Sequence, residues 1–236
     1  MKRLTTYILA VAVILLVLSC KTVDLSKKYP NMVADLDPVS VGTFDAQFDR
    51  MFSTKARKTE IEAIFHPRFN YVSLEFKQDL ITYRQFWDQA ARKQFAASLE
   101  LYKKDFENRK LSNNNRRTKS VYGKVNGHVE WELSKFTKTH VSYPIIEIGY
   151  QFKENTPFFT TFMRSTKETV DKEDDSDATY SQPVTMYFTR AQADVLAGIF
   201  DQARLMELIG TQINKIKGEY DEYKDTPTPK ANYDEY

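Results

Sequence analysis

The chain has 236 residues, with 34 Lys and Arg against 32 Asp and Glu, 14% aromatic residues and seven glycines. A balance this close to neutral supplies no basic field for nucleic acid, and the aromatic content belongs to a globular chain rather than a disordered one. No glycine-rich loop of the kind that cradles phosphates occurs, which argues against nucleotide binding of that type.

Met1-Lys2-Arg3 is a basic head, and Ile8 to Leu18 follows without a polar residue. That run has the length of a secretory signal core and falls short of the ~20 residues a helix needs to span a bilayer. Small Ser19 then precedes Cys20, the single cysteine of the chain. The stretch Val17-Leu18-Ser19-Cys20 resembles the signal-peptide end of bacterial lipoproteins, with Leu18 bulkier than the usual occupant. The resemblance implies a thioether-linked diacylglycerol on Cys20, cleavage of residues 1–19, and an acylated Cys20 as the new N-terminus. Each buried methylene contributes about 0.8 kcal/mol, so two or three chains on one residue hold firmly where one holds marginally. The rival reading is an ordinary cleaved signal, or an N-terminal membrane helix, with an incidental cysteine. Losing Lys2 and Arg3 with the segment leaves the remaining side chains evenly balanced in charge.

Residues 20–42 have weak periodicity and are expected to form a tether. In "TFDAQFDRMF", Phe44, Phe48, Met51 and Phe52 suit a short amphipathic helix, while Phe44, Ala46 and Phe48 also suit a strand. Alternation marks strands in "TEIEAIF" and "FNYVSLEF", parted by a turn at His66-Pro67-Arg68. "LITYRQFW" reads as a third strand or as a helix capped by Thr82, with Asp88 as the other candidate cap. Trp87, Ala91, Phe95, Leu99, Tyr102 and Phe106 recur every three to four residues, predicting a helix over about Asp88 to Arg109. "LSNNNRRTKS" ends it. "VNGHVEWEL" alternates as a half-buried strand with an optional turn at Asn126-Gly127. "YPIIEIGYQF" and "FFTTFMRST" form a hairpin, an acidic loop follows, and "PVTMYF" is a further strand. Thr189 and Gln192 make a capping box that opens a second helix, which Gly210 is placed to bend or break.

The fold class expected is α+β: a single domain, an antiparallel sheet of about six or seven strands with two amphipathic helices packed on one face. The domain is expected over residues 43–217, with 218–236 a disordered acidic, tyrosine-rich tail. "FHPRFNYVSLEF", "KVNGHVEW" and "YFTRAQADVLAGIF" look similar to segments of uncharacterised spirochaete-type lipoproteins, over roughly residues 60–205. That resemblance brings no catalytic residues with it.

No catalytic grouping stands out. His66, His128 and His140 are not spaced as a helical metal pair and read as surface histidines. Glu130 and Glu132 beside Trp131 are the best carboxylate pair, roughly 7 Å apart along one strand face. The run Asp171 to Asp177 lacks the glycine and distal glutamate of a calcium loop. Arg116, Arg117 and Lys119, with Lys103, Lys104, Arg109 and Lys110, read as a solvated helix end or a contact with lipid headgroups or an acidic partner. Tail tyrosines Tyr220, Tyr223, Tyr233 and Tyr236 could dock on another protein. These readings point to a membrane-anchored envelope lipoprotein, periplasmic or on the cell surface, with a non-enzymatic binding or scaffold role. It takes no cofactor and no nucleic acid, touches lipid through acylated Cys20, and meets an envelope protein. The alternatives are a small-ligand or host-molecule binder with a pocket between sheet and helices, and an envelope hydrolase built on His128, Glu130 and Glu132.

Overall fold

The computed structural model describes residues 28–50, 53–113, 120–133, 138–169 and 179–225. The strands are β1 (Val39–Arg50), β2 (Ser53–His66), β3 (Tyr71–Gln78), β4 (Ile81–Trp87), β5 (Val121–Asn126), β6 (His128–Glu132), β7 (His140–Ser142), β8 (Ile145–Lys153), β9 (Thr156–Met163) and β10 (Val184–Phe188). Helix α1 (Gln89–Glu107) follows β4; α2 (Arg190–Phe200) and α3 (Gln202–Asp225) follow β10.

All ten strands form one antiparallel sheet in the order β5-β8-β9-β10-β1-β2-β3-β4-β6-β7. This corrects the expected sheet of six or seven strands with two helices: among the described residues the chain is mostly sheet, with three helices. Three segments account for the difference. Residues 43–50 of "TFDAQFDRMF" lie in β1, the strand alternative, because Phe44, Ala46 and Phe48 all point inward and are buried; Met51 and Phe52 lie outside the described residues. "VNGHVEWEL" is two strands, because Gly127 turns the chain between β5 and β6. The three-residue β7 is too short to show a period.

The sheet curls into a half-barrel. β5 and β6 lie towards opposite ends of the strand order, yet one residue, Gly127, joins them. β7 and β8 are likewise joined by Tyr143-Pro144 alone. The ends are therefore drawn together at these corners. The Gly127 N–H donates to the Pro144 carbonyl at 2.7 Å, and a Cβ at Gly127 would stand 2.8 Å from Ile146 Cδ1. Beyond β9, the Thr169 N–H donates to the Val141 carbonyl and the Ser142 and Thr166 hydroxyls lie 2.7 Å apart, which ties β7 to the returning chain.

Helix α1 fills the concave face, packing on β5 and β8, and α2 covers β1 beside it. Asp88 caps α1, its carboxylate accepting from the Ala91 N–H at 2.7 Å. Phe95 is fully buried and meets Trp87, Phe159, Phe188 and Phe200 with ring centroids 5.2–6.4 Å apart, mostly edge to face. Such rings bury large apolar areas and add about 0.5–1.5 kcal/mol per pair through their geometry. Arg92 is also buried. It donates to the Asn70 carbonyl and side chain and to Gln202, holding the β2–β3 turn against the start of α3; desolvation lowers its pKa to about 10.

The Thr189–Gln192 capping box is present at the start of α2. The break expected near Gly210 falls instead at Asp201, whose carboxylate accepts from the Arg204 N–H and so opens α3. Gly210 lies inside α3, which runs to Asp225, past the expected domain boundary at 217.

Candidate functional site

Because helices occupy the concave face, the outward residues of β2, β3, β4 and β6 are the surface the fold leaves to bind with. Alternation places Tyr71 and Glu75 outward on β3, with Ser73 on their side but itself fully covered, while Val72 and Leu74 are fully buried. It does the same for Thr82, Arg84 and Phe86 on β4, and for His128, Glu130 and Glu132 on β6. Register then assembles two rows across the strands.

In the first row, Glu62 stands opposite Glu75, Glu75 opposite Arg84, and Arg84 opposite Glu130. Arg84 Nε donates to Glu75 at 2.5 Å and Nη1 to Glu130 at 2.9 Å. Burial disfavours the Arg84 charge, but the two carboxylates outweigh it and raise its pKa. Glu62 and Glu75 form a like-charge cross-strand pair, an arrangement that is unfavourable by itself. Nearby, Asp45, Glu60 and Glu132 add carboxylates and Lys58 and Lys77 add cations, so anions are in excess on this face.

The second row is aromatic. Phe69 stacks on Tyr71 at 5.1 Å, Tyr71 meets Phe86 edge-on at 5.1 Å, Phe86 stacks on His128 at 4.4 Å, and His128 stacks on Tyr143 at 5.1 Å. Tyr29 closes one end against Phe69, and His66 packs beside Tyr71 while its Nε2 lies 2.9 Å from the Ser73 hydroxyl. Both end rings still reach solvent: Phe69 is 43% exposed and Tyr143 64%. Burial lowers the pKa of both His66 and His128, opposed at His128 by Glu130.

The structure therefore brings His128 and Glu130 together, with Nε2 and Oε1 3.8 Å apart, but commits Glu130 to Arg84. Glu132 shares a shallow depression with Thr82, Arg84 and Trp131. His140 lies apart. It stacks on Trp131 at 5.4 Å, and its Nδ1 is 2.9 Å from Glu168. Burial pushes the Glu168 carboxyl up, but Lys138 at 2.7 Å, His140 and the Thr179 backbone together pull it below its ordinary range. Among the described residues, no group of His, Cys, Asp and Glu is arranged to hold a metal. Lys103 pairs with Asp194 of α2 at 2.5 Å and so bridges the two helices. Cys20, Asp171–Asp177, Arg116, Arg117, Lys119, Tyr233 and Tyr236 lie outside the described residues, as do the side chains of Tyr220 and Tyr223. Sequence reasoning passed over Glu62, Glu75 and Arg84, although the alternation in "FNYVSLEF" and "LITYRQFW" already put Glu75 and Arg84 on polar faces.

A family model described as an uncharacterised Treponema protein matches residues 38–207. The chain belongs to this family. The match begins at β1 and ends within α3, so it takes in the whole sheet, α1, α2 and both outer rows. No curated protein and no solved structure matches the chain. Among the described residues, no helix is long and apolar enough to cross a membrane.

Proposed function

We propose that this chain is a cell-envelope lipoprotein, held to a bacterial membrane by acyl chains on Cys20, that binds another envelope protein and performs no catalysis. The observation that carries the binding role is the outer face of β2–β3–β4–β6. Glu75 and Glu130 share the guanidinium of Arg84, with Glu62 opposite Glu75, beside a ladder of rings with two exposed ends. A partner presenting Lys or Arg would relieve the Glu62–Glu75 repulsion, and Phe69 and Tyr143 supply apolar anchors of the kind that dominate interfaces.

The anchor reading rests on the basic head, the short apolar core and Ser19-Cys20. The geometry suits it. Tyr29 rests against Phe69, and the nine residue steps from Cys20 to Tyr29 reach about 30 Å at most, at ~3.3–3.6 Å per residue. The Phe69 end of the ladder would then lie close to the bilayer.

Two measurements test these parts separately. Mass spectrometry of protein from its native host is expected to show acyl chains on an N-terminal Cys20; a bare thiol on an unprocessed soluble chain would sink the anchor. A photo-crosslinker at Tyr143, used in gently solubilised membranes, is expected to trap one protein partner. The double reversal Glu62→Lys with Glu75→Lys is expected to abolish that adduct. A chain that is always recovered alone would remove the binding role.

A further inference from the structure

A second outward region lies where the ends of the sheet meet, beginning at Pro144, the residue after Tyr143. It is a groove of about 380 Å³ lined by Lys124, Pro144, Ile145, Glu147, Phe162, Arg164, Ser165 and Thr166. The register explains its make-up. Lys124 stands opposite Glu147, and Glu147 opposite Phe162, so one outward row crosses β5, β8 and β9. Ile146 pairs with Met163, which sets Ile145 beside Arg164 at the mouth of the hairpin. Ile145 is 56% exposed, although its strand neighbours Ile146 and Ile148 are buried against the helices.

Charge makes the groove specific. Lys124 Nζ lies 3.2 Å from Glu147, so these two largely cancel. Arg164 is exposed and makes no ion pair or hydrogen bond among the described residues. Among the described residues, Arg164 is therefore the groove's cation without a partner. The hydroxyls at its rim are already engaged in part: Ser165 Oγ donates to the Ser181 carbonyl at 2.7 Å, and Thr166 pairs with Ser142. Ser165 can thus accept from a ligand but has no proton left to give it, and Arg164 is the donor with open capacity. A guanidinium presents a planar fork of N–H groups that matches a carboxylate.

We propose that this groove binds a small organic monocarboxylate, with the carboxylate on Arg164 and an apolar body lying on Ile145, Pro144 and Phe162. The volume falls in the range of small-molecule sites, about 300–1,000 Å³. Among the described residues a single unpaired guanidinium lines the groove, which suits a monoanion; a phosphate would bring a second negative charge towards Glu147. The proposal is independent of the protein-binding role of the Arg84 face.

The probe is 3-phenylpropionate, titrated calorimetrically into the full-length chain in nanodiscs of neutral lipid, with empty nanodiscs subtracted. Saturable binding is expected, with amide shifts confined to Phe162, Arg164 and Thr166. Arg164→Gln is expected to weaken it at least tenfold, and Ile145→Asn severalfold, while Arg204→Gln on α3 leaves it unchanged. The neutral analogue 3-phenylpropanol, acetate and inorganic phosphate are each expected to bind at least tenfold more weakly. Both groove positions are exposed, and unchanged thermal midpoints would show that the variants fold. No saturable binding, equal affinity for 3-phenylpropanol, tighter binding of phosphate, or an undiminished Arg164→Gln affinity would each overturn the proposal.

Discussion

The two faces of one sheet obey the same alternation and have been put to opposite uses. Inward, Ile61, Ala63, Phe65, Val72, Leu74 and Val129 are fully buried, packed with the aromatic residues of α1 and α2. Outward, the same strands set Glu62 against Glu75 and leave one arginine to serve both Glu75 and Glu130. A face selected for stability alone would not juxtapose like charges across a ladder. The difference separates what makes the protein fold from what it offers to others, and substitutions on the two faces should separate in the same way.

Phe95→Ala should have the largest effect. It removes a fully buried ring that contacts four others, and a loss of about 3–5 kcal/mol is expected in urea unfolding. Glu168→Gln tests the tie beside β7. Because the Glu168 pKa is lowered in the fold, the unfolded chain takes up the proton first as pH falls. Its contribution, about 1.5–3 kcal/mol for hydrogen bonds to a charged group, should be complete above the ordinary carboxylate range. It should disappear as pH falls through the depressed value. Melts from pH 7 to pH 3 should show the variant and the parent converging at the acid end. Gly127→Ala should cost about 1–3 kcal/mol, since its Cβ would press on Ile146 and on the Pro144 carbonyl 3.1 Å away. Thr189→Ala should cost about 1 kcal/mol by removing the α2 cap. On the outer face, Glu62→Gln should leave stability within about 0.5 kcal/mol while weakening partner capture. A large loss of stability there would erase the distinction between the faces.

Much of the inner face was legible. The helical spacing from Trp87 to Phe106 yields α1, and Thr189 with Gln192 yields the α2 cap, because both depend on residues within a turn or two of one another. β1 was legible only in part. Phe44, Phe48, Met51 and Phe52 fit a helical stripe while Phe44, Ala46 and Phe48 fit a strand, and burial against α2 decided for the strand. Leu133 shows the limit of pattern. It continues the inward alternation of β6 by parity yet is 58% exposed, because the strand ends at Glu132 before it. The break at Asp201 shows another. The glycine-based expectation pointed to Gly210, but Asp201 has the capping side chain and Gly210 lies inside α3.

The candidate sites divide along the same line. The residues of the Arg84 row stood in the sequence on polar faces, but nothing local told that Glu62, Glu75, Arg84 and Glu130 share one row. Arg164 gave no local signal.

By itself the sequence determined the basic head and short apolar run before Cys20, the strands and helices of strong period, the caps, and the lack of any familiar catalytic or phosphate-binding motif. These are properties of neighbours along the chain. Only the tertiary structure decided that ten strands make one sheet, that Gly127 and Tyr143-Pro144 draw its ends together, and that a carboxylate-rich row and an arginine groove result. The physical reason is that register and closure depend on contacts between residues far apart in sequence, where packing against α1 outweighs any local preference.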